Sequence, residues 1–218
     1  MKSIVLLSGG LDSTVNLAKA VNETEVVLAL TFDYGQRAAD REITAAGQVA
    51  AYYRVPAKVL ELGFLKEVTK TALVNLDKEI PEMDLTELDS DKAFMTARQV
   101  WVPNRNGLFI NVAACYAESL GCQLIVTGFN AEEAATFPDN SPAFVEAVTS
   151  SLSYSTLNKA KVKSYTQDLD KTGIIKLGRD LDIPFDLIWS CYYGDREMCG
   201  RCESCRRLLR AKETAGVR

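Results

Sequence analysis

Six consecutive residues near the amino terminus, Ser8-Gly9-Gly10-Leu11-Asp12-Ser13, set two glycines, two hydroxyls and a carboxylate directly after the apolar run Ser3-Ile4-Val5-Leu6-Leu7. Glycines let a backbone turn tightly with its N–H groups pointing inward, and a helix that begins in such a turn adds the positive end of its dipole. With Thr14 supplying a further hydroxyl, the segment reads as an anion cradle, best suited to phosphate. The plainer reading of a bare SGG is a glycine turn in which Asp12 or Ser13 caps the helix; the full hexapeptide after a strand favours phosphate. It is neither a Walker A loop, which requires a Lys absent here, nor a GxGxxG turn.

A second cluster lies at the other end of the chain, Cys191-x7-Cys199-x2-Cys202-x2-Cys205. Four thiols with two CxxC steps match a closed tetrahedral zinc site holding one ion. Four cysteine ligands leave no open position for water, so such an ion is structural and catalysis belongs elsewhere. Cys115 and Cys122 flank a helix end and read as core thiols, and Trp189 as part of the wall of the metal site.

The chain has no His, which removes the usual general base. Chemistry then falls to carboxylates, Lys, Arg, backbone amides or a bound ion. Arg105, in the turn Pro103-Asn104-Arg105-Asn106-Gly107, could neutralise an α-phosphate or a substrate carboxylate, or be an ordinary loop arginine. Lys171 is expected at a helix start, where the dipole disfavours a cation, and this suggests that it faces phosphate. Asp12 and Asp139 are candidates for magnesium or for an exocyclic amine, and a cap or turn role explains either equally well. Tyr34 and Phe137 could stack on a flat ring or simply pack.

Alternating elements must position these residues. Buried strands are predicted at Ser3–Leu7, Glu25–Asp33, Lys58–Leu62, Gln123–Gly128 and Lys161–Gln167. Helices are predicted from Asp12 to about Val21 and over Arg37–Tyr53, Gly107–Leu120, Pro142–Ser153 and Thr172–Leu181. Residues 63 to 99 read as an irregular insertion with one helical turn. The alternation implies an α/β domain with a mainly parallel sheet and helices on both faces. No repeat or linker divides it; residues 1–190 form the domain and 191–218 a zinc-binding segment packed on it.

Hydrophobic residues make up 47% of the 218 and charged residues 25%, a globular composition. The net charge of −4 leaves no basic excess to neutralise nucleic acid. The opening apolar run is too short for a secretory signal, and no run approaches the ~20 residues of a membrane span. A cytoplasmic protein is the expectation.

SGGLDS resembles the PP-loop of the ATP pyrophosphatases, which cleave ATP between its α and β phosphates. Asp33-Tyr34-Gly35-Gln36-Arg37, Val102-Pro103-Asn104-Arg105-Asn106-Gly107, Gly128-Phe129-Asn130, Phe137-Pro138-Asp139, Leu169-Asp170-Lys171 and the four cysteines carry the likeness further. From Ile4 to about Arg207 the chain is similar to the QueC family of 7-cyano-7-deazaguanine synthases. The resemblance implies an adenine nucleotide alpha hydrolase-like fold and ATP held by Leu7, Ser8, Gly9, Gly10, Leu11, Asp12, Ser13, Thr14 and Gly128. It implies substrate contacts at Tyr34, Gln36, Arg37, Asn130, Phe137 and Asp139, with Arg105, Lys171 and Asp12 catalytic. It also implies magnesium with the ATP, 7-carboxy-7-deazaguanine and ammonia as substrates, a place in queuosine biosynthesis, and a homodimer.

The chain departs from the family pattern at Ala38, usually His, at Phe137-Pro138-Asp139-Asn140-Ser141, usually YPDCR, and just before it at Glu132-Glu133-Ala134-Ala135-Thr136, usually an acidic residue and SGY. The altered segment from Phe137 to Ser141 motivates an alternative, a related enzyme passing the acyl group to another amine such as a protein, or a zinc-containing tRNA-modifying enzyme. A non-enzymatic zinc module, suggested by CxxC and Arg206-Arg207, is opposed by the acidic charge and the intact loop.

Overall fold

The computed structural model describes residues 1–217. Its centre is a five-stranded, all-parallel sheet in the order β3-β2-β1-β4-β5. The strands are β1 (Lys2–Leu6), β2 (Glu25–Asp33), β3 (Ala57–Glu61), β4 (Leu124–Val126) and β5 (Lys161–Lys163). Successive side chains on a strand point to opposite faces, so the apolar runs of the inner strands feed two cores. On one face Ile4, Leu30 and Ile125 pack with α5 (Arg105–Ser119) and α7 (Pro142–Ser155). On the other, Val5, Ala29 and Val126 meet α1 (Leu11–Glu23) and α2 (Ala39–Tyr52). Each fully buried Ile or Leu contributes about 1.5–3 kcal/mol, so the inner strands carry a large share of the stabilising burial.

The chain runs outward from β1 to β2 and β3, then crosses back to place β4 on β1's other side. In such sheets ligands bind where the connections diverge, outside the carboxyl ends of the strands. Here that point lies between β1 and β4, and the glycine loop follows β1 directly.

Several boundaries differ from the sequence reading. The strand expected at Lys161–Gln167 ends at Lys163, because Ser164 and Thr166 turn inward and hydrogen-bond Phe129 O instead of continuing the ladder. The 63–99 stretch is more ordered than expected. It contains α3 (Phe64–Val68), a 3-10 turn at Leu85–Glu87 and α4 (Asp91–Gln99). Helix α4 escaped detection because its inner face is Ala93, Thr96 and Ala97, too small and polar to give an apolar period. The short helix α6 (Ala131–Ala134) and the terminal α9 (Glu203–Ala215) were not anticipated, whereas α8 (Lys171–Asp180) falls close to its expected place. Cys115 is exposed, contrary to its reading as a core thiol, while Cys122 is buried.

Candidate active site

Helix α1 starts at Gly10 with no side chain capping it, and its first internal bond runs from Thr14 N–H to Gly10 O. The N–H groups of Leu11, Asp12 and Ser13 precede that bond and have no partner within the helix, the arrangement that receives an anion. The capping alternative for Asp12 and Ser13 is therefore not what the chain adopts. Ser13 Oγ instead ties the loop together, accepting from Ser8 N–H at 3.2 Å and lying 3.1 Å from Ser8 Oγ. Two glycines are required by close approach. Gly9 has φ +77°, and a Cβ there would stand 2.7 Å from Ala46 N; at Gly128, after β4, a Cβ would meet Ser13 N at 2.9 Å.

Lys171 opens α8 and reaches across this loop. Its ammonium donates to Asp12 Oδ2 and, at 2.8 Å, to Glu133 Oε1. Burial alone would lower its pKa, yet the two carboxylates outweigh burial and hold it above the ordinary lysine value. Glu133 shows the complementary balance: burial would raise it, but Lys171 and Asn130 bring it below the usual carboxylate range. Asp12 goes the other way, pushed up to about 6 by burial despite Lys171. Its Oδ1 is buried without a partner.

Opposite stands Arg105, at the start of α5. Its Nη1 donates to Tyr34 Oη at 3.2 Å, and its guanidinium carbon lies 5.8 Å from the centre of the Tyr34 ring. Burial opposes its charge, but Tyr34 and Asp139 outweigh it, so Arg105 stays ionised. A cavity of about 260 Å3 separates the glycine loop from Arg105, with Tyr34, Phe137 and Lys171 in its wall. Leu7, Ser8, Gly10, Leu11, Asp12, Ser13 and Gly128 line it as well.

Other expected site residues lie behind the wall. Thr14 is buried in α1, and Gly9 shapes the loop by receiving Trp189 N–H on its carbonyl at 2.9 Å. Gln36 braces the turn after β2 by bonding Tyr34 N–H, Phe32 O and Glu42. The Arg37 guanidinium is spent on the carbonyls of Ala72, Asn75 and Lys78, strapping the 63–99 stretch to the sheet. Asn130 caps α6 through its bond from Glu133 N–H. Asp139 stands beside Arg105 without lining the cavity, and burial raises its pKa.

Several wall residues escaped sequence reasoning. Glu42 has its pKa raised by burial, and its neighbours Phe32 and Phe109 stack at 4.1 Å. Glu133, Tyr192, Glu203 and Arg207 also reach the cavity. Only Glu133 carried a usable signal, since it follows the carboxyl end of a predicted strand at the divergence point.

Beside the cavity the Sγ atoms of Cys191, Cys199, Cys202 and Cys205 lie within 4.8 Å of one another. A tetrahedral zinc with Zn–S of about 2.3 Å would need sulfurs roughly 3.8 Å apart, and Cys199 Sγ to Cys205 Sγ is 3.9 Å. Backbone N–H groups of Tyr193 and Cys199 point at Cys191 Sγ, and those of Arg201 and Cys202 at Cys199 Sγ, as thiolate ligands require. The residues fit a four-thiolate zinc ion. Trp189 packs in the same cluster and donates from Nε1 to Cys191 O.

The family model described as queuosine biosynthesis protein QueC matches residues 2–216. The chain is 61% identical over 218 residues to a 7-cyano-7-deazaguanine synthase of Pelotomaculum thermopropionicum, covering all of this chain and 99% of that one. It is 44% identical over 225 residues to one of Methanocaldococcus jannaschii, covering 100% and 97%. Among solved structures, a 4-thiouridine synthetase in complex with RNA and bound ATP superposes with a TM-score of 0.51 at 18% identity. That match covers 99% of this chain and 50% of that one, and shows a shared fold. Agreement along the full length with both a bacterial and an archaeal relative means that the chain belongs to the QueC family.

Proposed function

We propose that the chain is a 7-cyano-7-deazaguanine synthase of queuosine biosynthesis, an ATP-dependent ligase that makes a nitrile from 7-carboxy-7-deazaguanine and ammonia. The observation that carries the proposal is the uncapped loop at Ser8 to Ser13 facing Arg105 and Lys171 across one cavity. That arrangement suits transfer of an adenylyl group from ATP to a carboxylate.

In the first half-reaction a carboxylate oxygen attacks the α-phosphorus and pyrophosphate leaves. The free N–H groups of Leu11, Asp12 and Ser13 receive the leaving charge, and Lys171 and Arg105 neutralise the charge around the α-phosphate. Asp12, with its orphaned Oδ1, and Glu133 would hold a magnesium ion accompanying ATP, which would supply further neutralisation of phosphate charge. Ammonia then attacks the acyl carbon, AMP departs and a proton is released. The amide oxygen attacks a second ATP, again expelling pyrophosphate, and the O-adenylated amide gives up one of its two N–H protons. Loss of the second AMP and of the last N–H proton leaves the nitrile. Glu42, on the wall and with proton affinity raised by burial, is a carboxylate able to take that proton. The flat base packs beside Tyr34 and Phe137. Cys191, Cys199, Cys202 and Cys205 would hold a zinc ion that fixes the carboxy-terminal segment and supplies no open position for these steps.

No thiol lines the cavity among the described residues, which weighs against sulfur transfer. No described helix is long and apolar enough to cross a membrane; a cytoplasmic homodimer accompanies this reading. Incubation with ATP, ammonium and 7-carboxy-7-deazaguanine, followed by mass spectrometry, tests it. The nitrile is expected with AMP and pyrophosphate. Conversion that stops at an acyl transfer to another amine would overturn it.

A further inference from the structure

One buried charge network has no part in the chemistry above. Arg207 in α9 is only 5% exposed. It donates from Nη1 to Glu132 Oε2 at 2.8 Å, from Nε to Glu203 Oε1 at 3.0 Å and from Nη2 to Leu88 O at 2.8 Å. Arg210, one turn further on, donates from Nη2 to the same Glu132 oxygen at 3.1 Å. The other oxygen of Glu132 accepts the backbone N–H of Lys171 at 2.9 Å.

Helix α6 is thereby clipped to the start of α8 at three successive residues. Ala131 N–H donates to Leu169 O at 3.0 Å, Glu132 takes the Lys171 N–H, and Glu133 takes its ammonium. Cys202 is the capping residue of α9 and Cys205 lies in its first turn, so the thiol cluster sets the register of the helix two residues before Arg207. Buried charges of this kind are costly to desolvate, and apolar residues of similar volume often stabilise as well. What a rigid arginine fork supplies in addition is a fixed direction.

We propose that Glu132, gripped by Arg207 and Arg210, is a positioning residue that fixes the backbone of Lys171 and hence its ammonium group between Asp12 and Glu133. The carboxy-terminal segment then has a second task besides closing the fold. For its catalytic consequence this rests on the reading of Lys171 as the phosphate-facing cation.

The test combines two measurements on the intact zinc-bound protein, using Glu132→Ala, Glu132→Gln and Arg207→Met. The first, with no substrate present, follows acylation of lysines by an amine-reactive ester through peptide mass spectrometry. Lys171 should be labelled at least tenfold faster in Glu132→Ala and Arg207→Met, while Lys176, exposed on the same helix, changes less than twofold. The second follows pyrophosphate release: kcat should fall tenfold or more with KM for ATP within threefold. Glu132→Gln, which can still accept the Lys171 N–H, should recover part of kcat. Unchanged labelling at Lys171, or equal gains at Lys176 that follow a loss of melting temperature, would overturn the proposal. If Glu132→Ala does not fold, the other two variants give the same readings. The labelling arm contains no deazaguanine, so it stands or fails separately from the nitrile assignment.

Discussion

Replacing Lys171 by Met removes the one cation shared by Asp12 and Glu133 while keeping a side chain of similar length. Removing one partner from a buried ion pair costs about 3–5 kcal/mol, because the remaining charge has lost its compensation. Part of that cost is avoidable by protonation. Asp12 already sits at about 6 against an ordinary 3.8, with Lys171 the main influence holding it down. Without Lys171 its pKa climbs further. A carboxyl group whose folded pKa exceeds its unfolded value stabilises the fold at low pH, and that stability is lost as pH rises through the folded pKa. The wild-type contribution should therefore fall between about pH 4 and 6 and then level off, whereas the variant, with Asp12 protonated over a wider range, should go on losing stability above pH 6. The loss should approach the roughly 3–5 kcal/mol of a broken buried pair. In a domain of this size that is a drop of roughly 6–20 °C in melting temperature. Melting curves from pH 5 to 8, without nucleotide or magnesium, measure it. Turnover at saturating ATP should fall by about 10²–10³, the usual loss for one fixed group facing transition-state charge, and should not return at pH 5. Melting curves parallel to wild type at every pH, with turnover within threefold, would mean that Lys171 neither holds Asp12 ionised nor faces the reacting phosphate.

Cys202→Ser should release the zinc that metal analysis finds at about one per chain, and lower the melting temperature by roughly 10 °C, as expected when metal binding is part of folding. Gly128→Ala places a methyl group 2.9 Å from Ser13 N; because backbone cannot yield as a side chain can, ATP affinity measured by calorimetry should fall at least tenfold, with a modest loss of stability. Arg105→Ala removes the guanidinium facing the loop, so single-turnover pyrophosphate release should slow by about 10², while circular dichroism stays that of wild type.

The features that were legible in the sequence are those with local causes. A strand, a glycine pair and a helix start are adjacent in the chain, so the loop at Ser8 to Ser13 could be placed between them from sequence. The cysteine spacing likewise foretold that four thiols would converge. The alternation of apolar runs with amphipathic segments was enough for a parallel sheet. What stayed hidden depends on distant pairing. Glu42, Glu133 and Arg207 reach one cavity from α2, α6 and α9, and no local pattern links those positions. Arg37 shows the reverse error. Its place in a recognisable motif suggested substrate contact, whereas the carbonyls of the 63–99 stretch claim its guanidinium. That stretch read as irregular because its buried residues, among them Ala72, Leu73, Val74 and Ile80, pack against the thiol cluster and have no period of their own.

On the proposed function the cavity adenylates a carboxylate and then the resulting amide. Substrate carrying oxygen-18 at both carboxylate positions tests it most directly, by mass spectrometry of the AMP released during nitrile formation with ATP and ammonium. Each adenylation moves one substrate oxygen to phosphorus. Two AMP molecules are expected per nitrile, each with one labelled oxygen, together with unlabelled pyrophosphate. Unlabelled AMP, label in pyrophosphate, or ADP as the first nucleotide product would contradict it.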